Sequence, residues 1–147
     1  MKYPIGIQTF EQIIQAGYVY VDKTDLIYKL VTEGKIYFLS RPRRFGKSLL
    51  ISTLKNYFLG RKELFKGLAI DKLETEWAEY PVFHISFGSA NFTKHGALDD
   101  AIEKYLSDYE KESQIIPHIK DYGLRFREIL KTAHTTSGRR AVVLIDE

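Results

Sequence analysis

The spacing of apolar positions changes period several times along this chain, and each change predicts an element. Thr9 with Gln12 three residues later has the form of a capping box, which opens a short helix closed by Gly17. "YVYV" (18–21) alternates aromatic and β-branched residues, the pattern of a short strand. In "DLIYKLVTE" (25–33), Leu26, Ile27, Leu30 and Val31 form a helical stripe, with Thr24 as its cap and Gly34 as its end. "KIYFLS" (35–40) is a compact apolar run with little alternation, as in a strand buried on both faces. Helical spacing returns in "KSLLISTLKNYFL" (47–59), through Leu50, Leu54, Tyr57 and Phe58 up to Gly60. Residues 61–80 are charged and anchored by Phe65 and Trp77, which predicts short helices or irregular structure. "PVFHISF" (81–87) is a second strand of the buried type. A helix over 97–111 carries Leu98, Ile102, Tyr105, Leu106 and Tyr109, and Pro117 interrupts the helical pattern beyond it. A further helix over about 122–134 carries Phe126, Ile129, Leu130 and Ala133. Ser137-Gly138 then turns the chain into "AVVLIDE" (141–147), a third buried strand. Strands alternating with helices predict an α/β fold with a mainly parallel sheet.

Composition narrows this only a little. At 147 residues the chain is expected to be one domain, and its 44% hydrophobic and 14% aromatic content suits a packed core. Cysteine is absent, which excludes disulfides, thiolate metal sites and a cysteine nucleophile. The N-terminus lacks a signal-like apolar stretch, and no run approaches the ~18 apolar residues of a membrane span. A soluble, cytoplasmic protein with no membrane partner is the default expectation. The net charge of +3 is mild, but Arg41, Arg43 and Arg44 stand together, so the basic character is partly local.

Those arginines belong to "SRPRRFGKS" (40–48), which lies between the predicted strand at 35–40 and the predicted helix from 47. Strand, glycine-containing loop and helix are the context of a phosphate-binding loop. A helix N-terminus presents unpaired N–H groups and the positive end of its dipole to an anion. Gly46 lets the backbone approach the phosphates, Lys47 can reach the β- and γ-phosphates, and Ser48 can complete a Mg²⁺ shell. Arg43, Arg44, Phe45 and Leu49 complete the candidate nucleotide contacts. Arg43 and Arg44 either screen phosphate charge or simply face solvent. The tripeptide alone is weak, since Gly-Lys-Ser/Thr arises by chance in very roughly one chain in fifteen of this length. Arg41 also replaces the first glycine of the full pattern, removing an easy positive-φ position. "AVVLIDE" strengthens the reading. Apolar residues feeding an Asp-Glu pair match a Walker B strand, with Asp146 on the Mg²⁺ and Glu147 orienting and deprotonating the attacking water. Lys47 and Glu147 are thus the candidate catalytic residues, and Ser48 and Asp146 the metal-site residues. ATP and Mg²⁺ are the expected cofactors.

The blocks "YVDKT" (20–24), "FLSRPRRFGKS" (38–48) and "LFKGL" (64–68) closely resemble those of the predicted AAA-ATPase-like family of bacterial proteins. The resemblance covers essentially the whole chain. It implies a P-loop NTPase of the additional-strand, catalytic-glutamate type, a three-layer α/β/α sandwich with a mainly parallel sheet. It also implies that Arg41 belongs to the family's own loop. "YVDKTDLIYKL" (20–30) is similar to the segment before the P-loop strand in related ATPases, so that either Tyr20 or Val21 flanks the adenine or the segment is simply a hairpin and helix packed on the sheet edge. Residues 1–34 would form lead-in helices and a short strand, and 35–147 the nucleotide-binding core through Walker B. In such proteins this domain is commonly followed by a PD-(D/E)XK nuclease-like domain, through which nucleic acid could be a partner. In the implied fold a later strand inserts between the P-loop and Walker B strands. The 147 residues are therefore expected to be an N-terminal fragment, with 35–40 and 141–146 parallel but one strand apart.

His84, His95, His118 and His134 lack metal-ligand spacing. Ser86, Ser89 and Asn91 follow a strand expected far from the loop, and Arg139 and Arg140 enter the Walker B strand at the wrong end for the nucleotide. The leading expectation is an ATPase that drives or gates an attached domain. The alternatives are a nucleotide-sensing or structural module that hydrolyses nothing, and a nucleic-acid-binding domain using the basic loop.

Overall fold

The computed structural model describes residues 1–88, 93 and 95–146, in two compact units, Met1–Glu79 and Tyr80–Glu147. The first unit is helical. It contains α1 (Phe10–Gln15), α2 (Thr24–Glu33) and α3 (Lys47–Phe58), followed by single 3-10 turns at Lys62–Phe65 and Ala69–Lys72. Its core gathers Phe10, Ile13, Ile27, Leu54, Tyr57, Leu64, Phe65 and Ile70, all buried. The Phe10 and Phe65 rings lie 4.8 Å apart, and Trp77 closes over Phe65 at 5.1 Å and Tyr57 at 5.8 Å. Phe65 and Trp77 are thus the anchors that the charged stretch 61–80 led one to expect. Gly60 allows the chain to turn under Trp77: its φ is +68°, and a Cβ there would sit 2.9 Å from the Trp77 carbonyl.

Asp22 and Thr24 fasten this unit together. One Asp22 carboxylate oxygen accepts from the Thr24 N–H (2.9 Å) and hydroxyl (2.7 Å), and the other accepts from the Ala69 N–H at 2.7 Å. The Thr24 hydroxyl, fully buried, accepts in turn from the Ile70 N–H at 3.0 Å. Thr24 is therefore the first residue of α2 and not its cap. Its hydroxyl serves the turn at Ala69–Lys72, and Asp22 holds the helix start. Thr9 stands at the N-cap position of α1 in extended conformation, but its side chain makes no capping bond.

Two expected strands are absent. "YVYV" contributes a single bridge, Tyr18 with Lys2, and no ladder. Residues 35–40 form no strand, so the expected spacing of that segment from 141–146 has no counterpart. Ile36 and Phe38 are 95% and 93% exposed, the reverse of burial on both faces. The reason is one of pairing. An apolar run becomes a strand only when a neighbour takes its N–H and C=O groups, and no described residue pairs there.

The second unit contains β1 (Val82–Ser86), α4 (Ala97–Glu112), α5 (Tyr122–Ser137) and β2 (Val142–Asp146). β1 and β2 pair in parallel, Val82 opposite Val142 through Ser86 opposite Asp146, with the two helices in the crossover. Phe83, Leu106 and Ile129 form the core, with Ile102, Phe126 and Leu130 packed around them. Asp121 caps α5 by accepting from the Leu124 N–H, and Gly138 ends it in left-handed conformation. Between α4 and α5, the buried Arg125 guanidinium grips the buried Glu110 carboxylate through two bonds of 2.8 and 2.7 Å. A third bond of 2.6 Å reaches Glu103. Bonding to Glu110 and then Glu103 holds the Arg125 pKa above its ordinary value. The described residues thus show helices and a two-stranded parallel sheet, consistent with part of the expected α/β fold, and they do not form the full three-layer sandwich.

Candidate functional site

Gly46 sets the geometry of the loop. At φ 77° and ψ 19° it occupies the N-cap position of α3, and its carbonyl accepts the Leu50 N–H at 2.9 Å. The N–H groups of Lys47, Ser48 and Leu49 precede the first residue able to bond back within the helix. They stand at the positive end of a 12-residue helix. Lys47 curls back across the loop, and its Nζ donates to the Arg41 carbonyl at 2.9 Å. The residue in the first-glycine position thus takes part through its backbone, which any side chain there permits. Arg44 is left-handed at φ 67°, an unusual conformation for a residue with a Cβ. The loop therefore contains two positive-φ residues, and only one is a glycine. The sequence pattern carries no sign of the second.

Arg41, Arg43, Arg44 and Phe45 are exposed, with Phe45 at 63%, and Lys47, Ser48 and Leu49 are half-buried. This chemistry fits a polyphosphate: donors at a helix start, a lysine able to swing from a carbonyl, and arginines open to solvent. Tyr20 belongs to the same unit. Its ring packs edge-on against Phe10 at 5.2 Å. Burial raises its phenol pKa, against the lowering effect of a hydrogen bond with Thr53 on α3, and Asp22 adds to the rise. Val21, its neighbour, is 72% exposed.

Asp146, half-buried, is the last residue of β2, and its carbonyl accepts the Phe87 N–H at 3.0 Å. It thus stands at the carboxyl end of a parallel pair, the end where open α/β sheets bind ligands. Glu147 lies outside the described residues, as do Ser89 and Asn91. The loop and Tyr20 belong to the first unit and Asp146 to the second. Among the described residues no cluster of three or more His, Asp or Glu could hold a metal ion. No helix among them is long and apolar enough to cross a membrane.

A curated relative, an uncharacterized protein from the region 5′ of vnfD in Azotobacter chroococcum mcd 1, is 42% identical over 148 residues. That match covers 99% of this chain, which spans 28% of the relative's length. No solved structure matches. A family model described as "Predicted AAA-ATPase" matches residues 4–147. With the match running through the loop and on to the acidic end of β2, the chain belongs to the predicted AAA-ATPase family.

Proposed function

We propose that this chain is the nucleotide-binding part of an ATPase that takes Mg-ATP at Arg43–Leu49. The observation that carries the reading is Gly46, left-handed at the start of α3, with Lys47 folded onto the Arg41 carbonyl. The first N–H groups of α3 would take the β-phosphate, and Lys47 would leave Arg41 for the β- and γ-oxygens. Ser48 is the proposed Mg²⁺ ligand of the loop, and Asp146 is the acidic ligand that the Walker B match proposes; Mg²⁺ when bound neutralises negative charge on the phosphates. Glu147 would take the proton of the attacking water. Tyr20 would border the base, and Arg43 and Arg44 would screen the phosphate charge from the rim. In the longer protein, hydrolysis would drive or gate an attached domain, nuclease-like by the family resemblance. The short share of the curated relative spanned by this chain supports the presence of further domains.

A second reading, a nucleotide sensor that does not hydrolyse, draws support from Arg41 in the first-glycine position. Calorimetric titration of Mg-ATP into the full-length protein and its Lys47→Ala variant tests binding. A hydrogen bond to a charged group is worth about 1.5–3 kcal/mol, so affinity should fall about tenfold or more. Equal affinities would refute the loop assignment. Turnover by the full-length Glu147→Gln variant separates the two readings. Retained binding with lost hydrolysis supports the ATPase, and absence of hydrolysis in the unaltered protein supports the sensor.

A further inference from the structure

The two edges of β1 are treated differently. Toward β2, the Val142 N–H donates to the Pro81 carbonyl at 2.8 Å and the Phe87 N–H donates to the Asp146 carbonyl at 3.0 Å. The ladder therefore uses the odd-numbered residues of this segment, and the backbone groups of His84 and Ser86 face the opposite edge. Two tyrosines of α4 meet them there. The Tyr105 hydroxyl accepts from the Ser86 N–H at 3.0 Å and donates to the Ser86 carbonyl at 2.9 Å. The Tyr109 hydroxyl donates to the His84 carbonyl at 2.7 Å. The match is geometric. Four residues of helix rise about 6 Å, and two residues of strand advance about 6.6 Å. A Tyr-x-x-x-Tyr pair on a helix antiparallel to the strand thus falls in step with alternate backbone positions. The rings are held together as well, stacked at 6.2 Å and 24°.

We propose that Tyr105 and Tyr109 close the outer edge of β1 against strand addition by a second copy of this chain. An uncovered strand edge presents N–H and C=O groups that template pairing. Val-Phe-His-Ile-Ser suits such pairing, because β-branched and aromatic residues favour strands. Two copies of one edge are self-complementary when related by a twofold axis. The Tyr105 hydroxyl supplies at Ser86 both the acceptor and the donor that an antiparallel neighbour would supply. It thereby occupies the site that a second copy needs. Burial pushes the Tyr109 pKa up to about 12, so its hydroxyl stays a donor well above neutral pH.

Amide hydrogen exchange and sedimentation of the full-length protein test this, using Tyr105→Phe, Tyr109→Phe and the double variant. In the unaltered protein the Ser86 amide should be protected. Tyr105→Phe should speed its exchange about tenfold, the equivalent of about one hydrogen bond. Tyr109→Phe, which touches only a carbonyl, should leave that amide slow. The double variant should self-associate in a concentration-dependent way. A Ser86 amide exchanging in the unaltered protein like a free surface amide would overturn the proposal, whether or not the variants fold. So would a folded double variant that stays as monomeric as its parent.

Discussion

Arg44 and Arg41 show how much of the loop's character depends on backbone conformation. A left-handed residue with a Cβ costs about 1–2 kcal/mol, a cost that glycine avoids. Arg44→Gly is therefore expected to raise the unfolding free energy by up to about 1 kcal/mol. If Arg44 screens phosphate, the same change lowers ATP affinity. Stability and affinity would then move in opposite directions, a signature that loss of fold cannot imitate. Denaturant unfolding and an ATP titration on one pair of proteins check both. Arg41 calls for the opposite expectation. Its contribution to Lys47 is a carbonyl, which glycine also has. Arg41→Gly should change ATP affinity only modestly, and a large gain in binding would mean that the arginine side chain had been plugging the loop.

At the scale of the element, side-chain hydrogen bonds decide whether local patterns mature into the structures they suggest. The helix over DLIYKLVTE was legible from its stripe, because a helix bonds within itself. The strand at 82–86 was legible too, and it found β2. The run at 35–40 reads equally well as a strand, but a strand depends on a partner that periodicity cannot name. In the loop, Gly46 and Lys47 were legible, and the left-handed Arg44 and the acceptor role of the Arg41 carbonyl were not, since both are backbone properties. Arg125 and Glu110, 15 residues apart, escaped for another reason. Each sits at a helical position where charge ordinarily reads as surface, and only the packing of α4 on α5 pairs them. The Asp22–Thr24 network is similar, since it joins residues 46 or 47 apart. It ties the "YVDKT" block to the turn just after "LFKGL". Thr24→Val keeps the shape but leaves the buried Ile70 N–H without its acceptor. The expected loss is about 1–3 kcal/mol, read by urea unfolding. Thr24→Ser should recover most of it. Equal losses for Val and Ser would assign the effect to packing instead.

For the whole molecule, these local bonds add up to a dependence of stability on pH. Burial raises the Asp22 carboxyl pKa, but bonds from the Thr24 N–H, the Thr24 hydroxyl and the Ala69 N–H outweigh it, leaving the pKa below 3.8. Glu74 follows the same logic. Burial is overcome by the Tyr57 hydroxyl and by the N–H groups of Glu76, Trp77 and Thr75. Glu103 is lowered by Arg125 first and by Ser107 next. A carboxyl lowered on folding binds fewer protons in the folded chain, so acid favours the unfolded one. These three contributions are fully present above the ordinary carboxyl values of 3.8 and 4.5 and vanish as pH falls through the lowered ones. The phenols act in the other direction. Tyr109, raised by burial and then by Tyr105 from 10.0 to about 12, keeps its proton longer in the folded chain. Tyr20 is raised for the same first reason. The Tyr109 contribution is intact below pH 10.0 and is lost as pH climbs toward 12, and that of Tyr20 is lost as pH rises through its own raised pKa. The denaturation midpoint should therefore be level from about pH 5 to about pH 9 and fall on both sides. Asp22→Asn should flatten part of the acid fall without touching the alkaline one, and Tyr109→Phe should do the reverse. An acid limb identical in Asp22→Asn and its parent would show that the carboxylate is no better held in the folded chain than in the unfolded one.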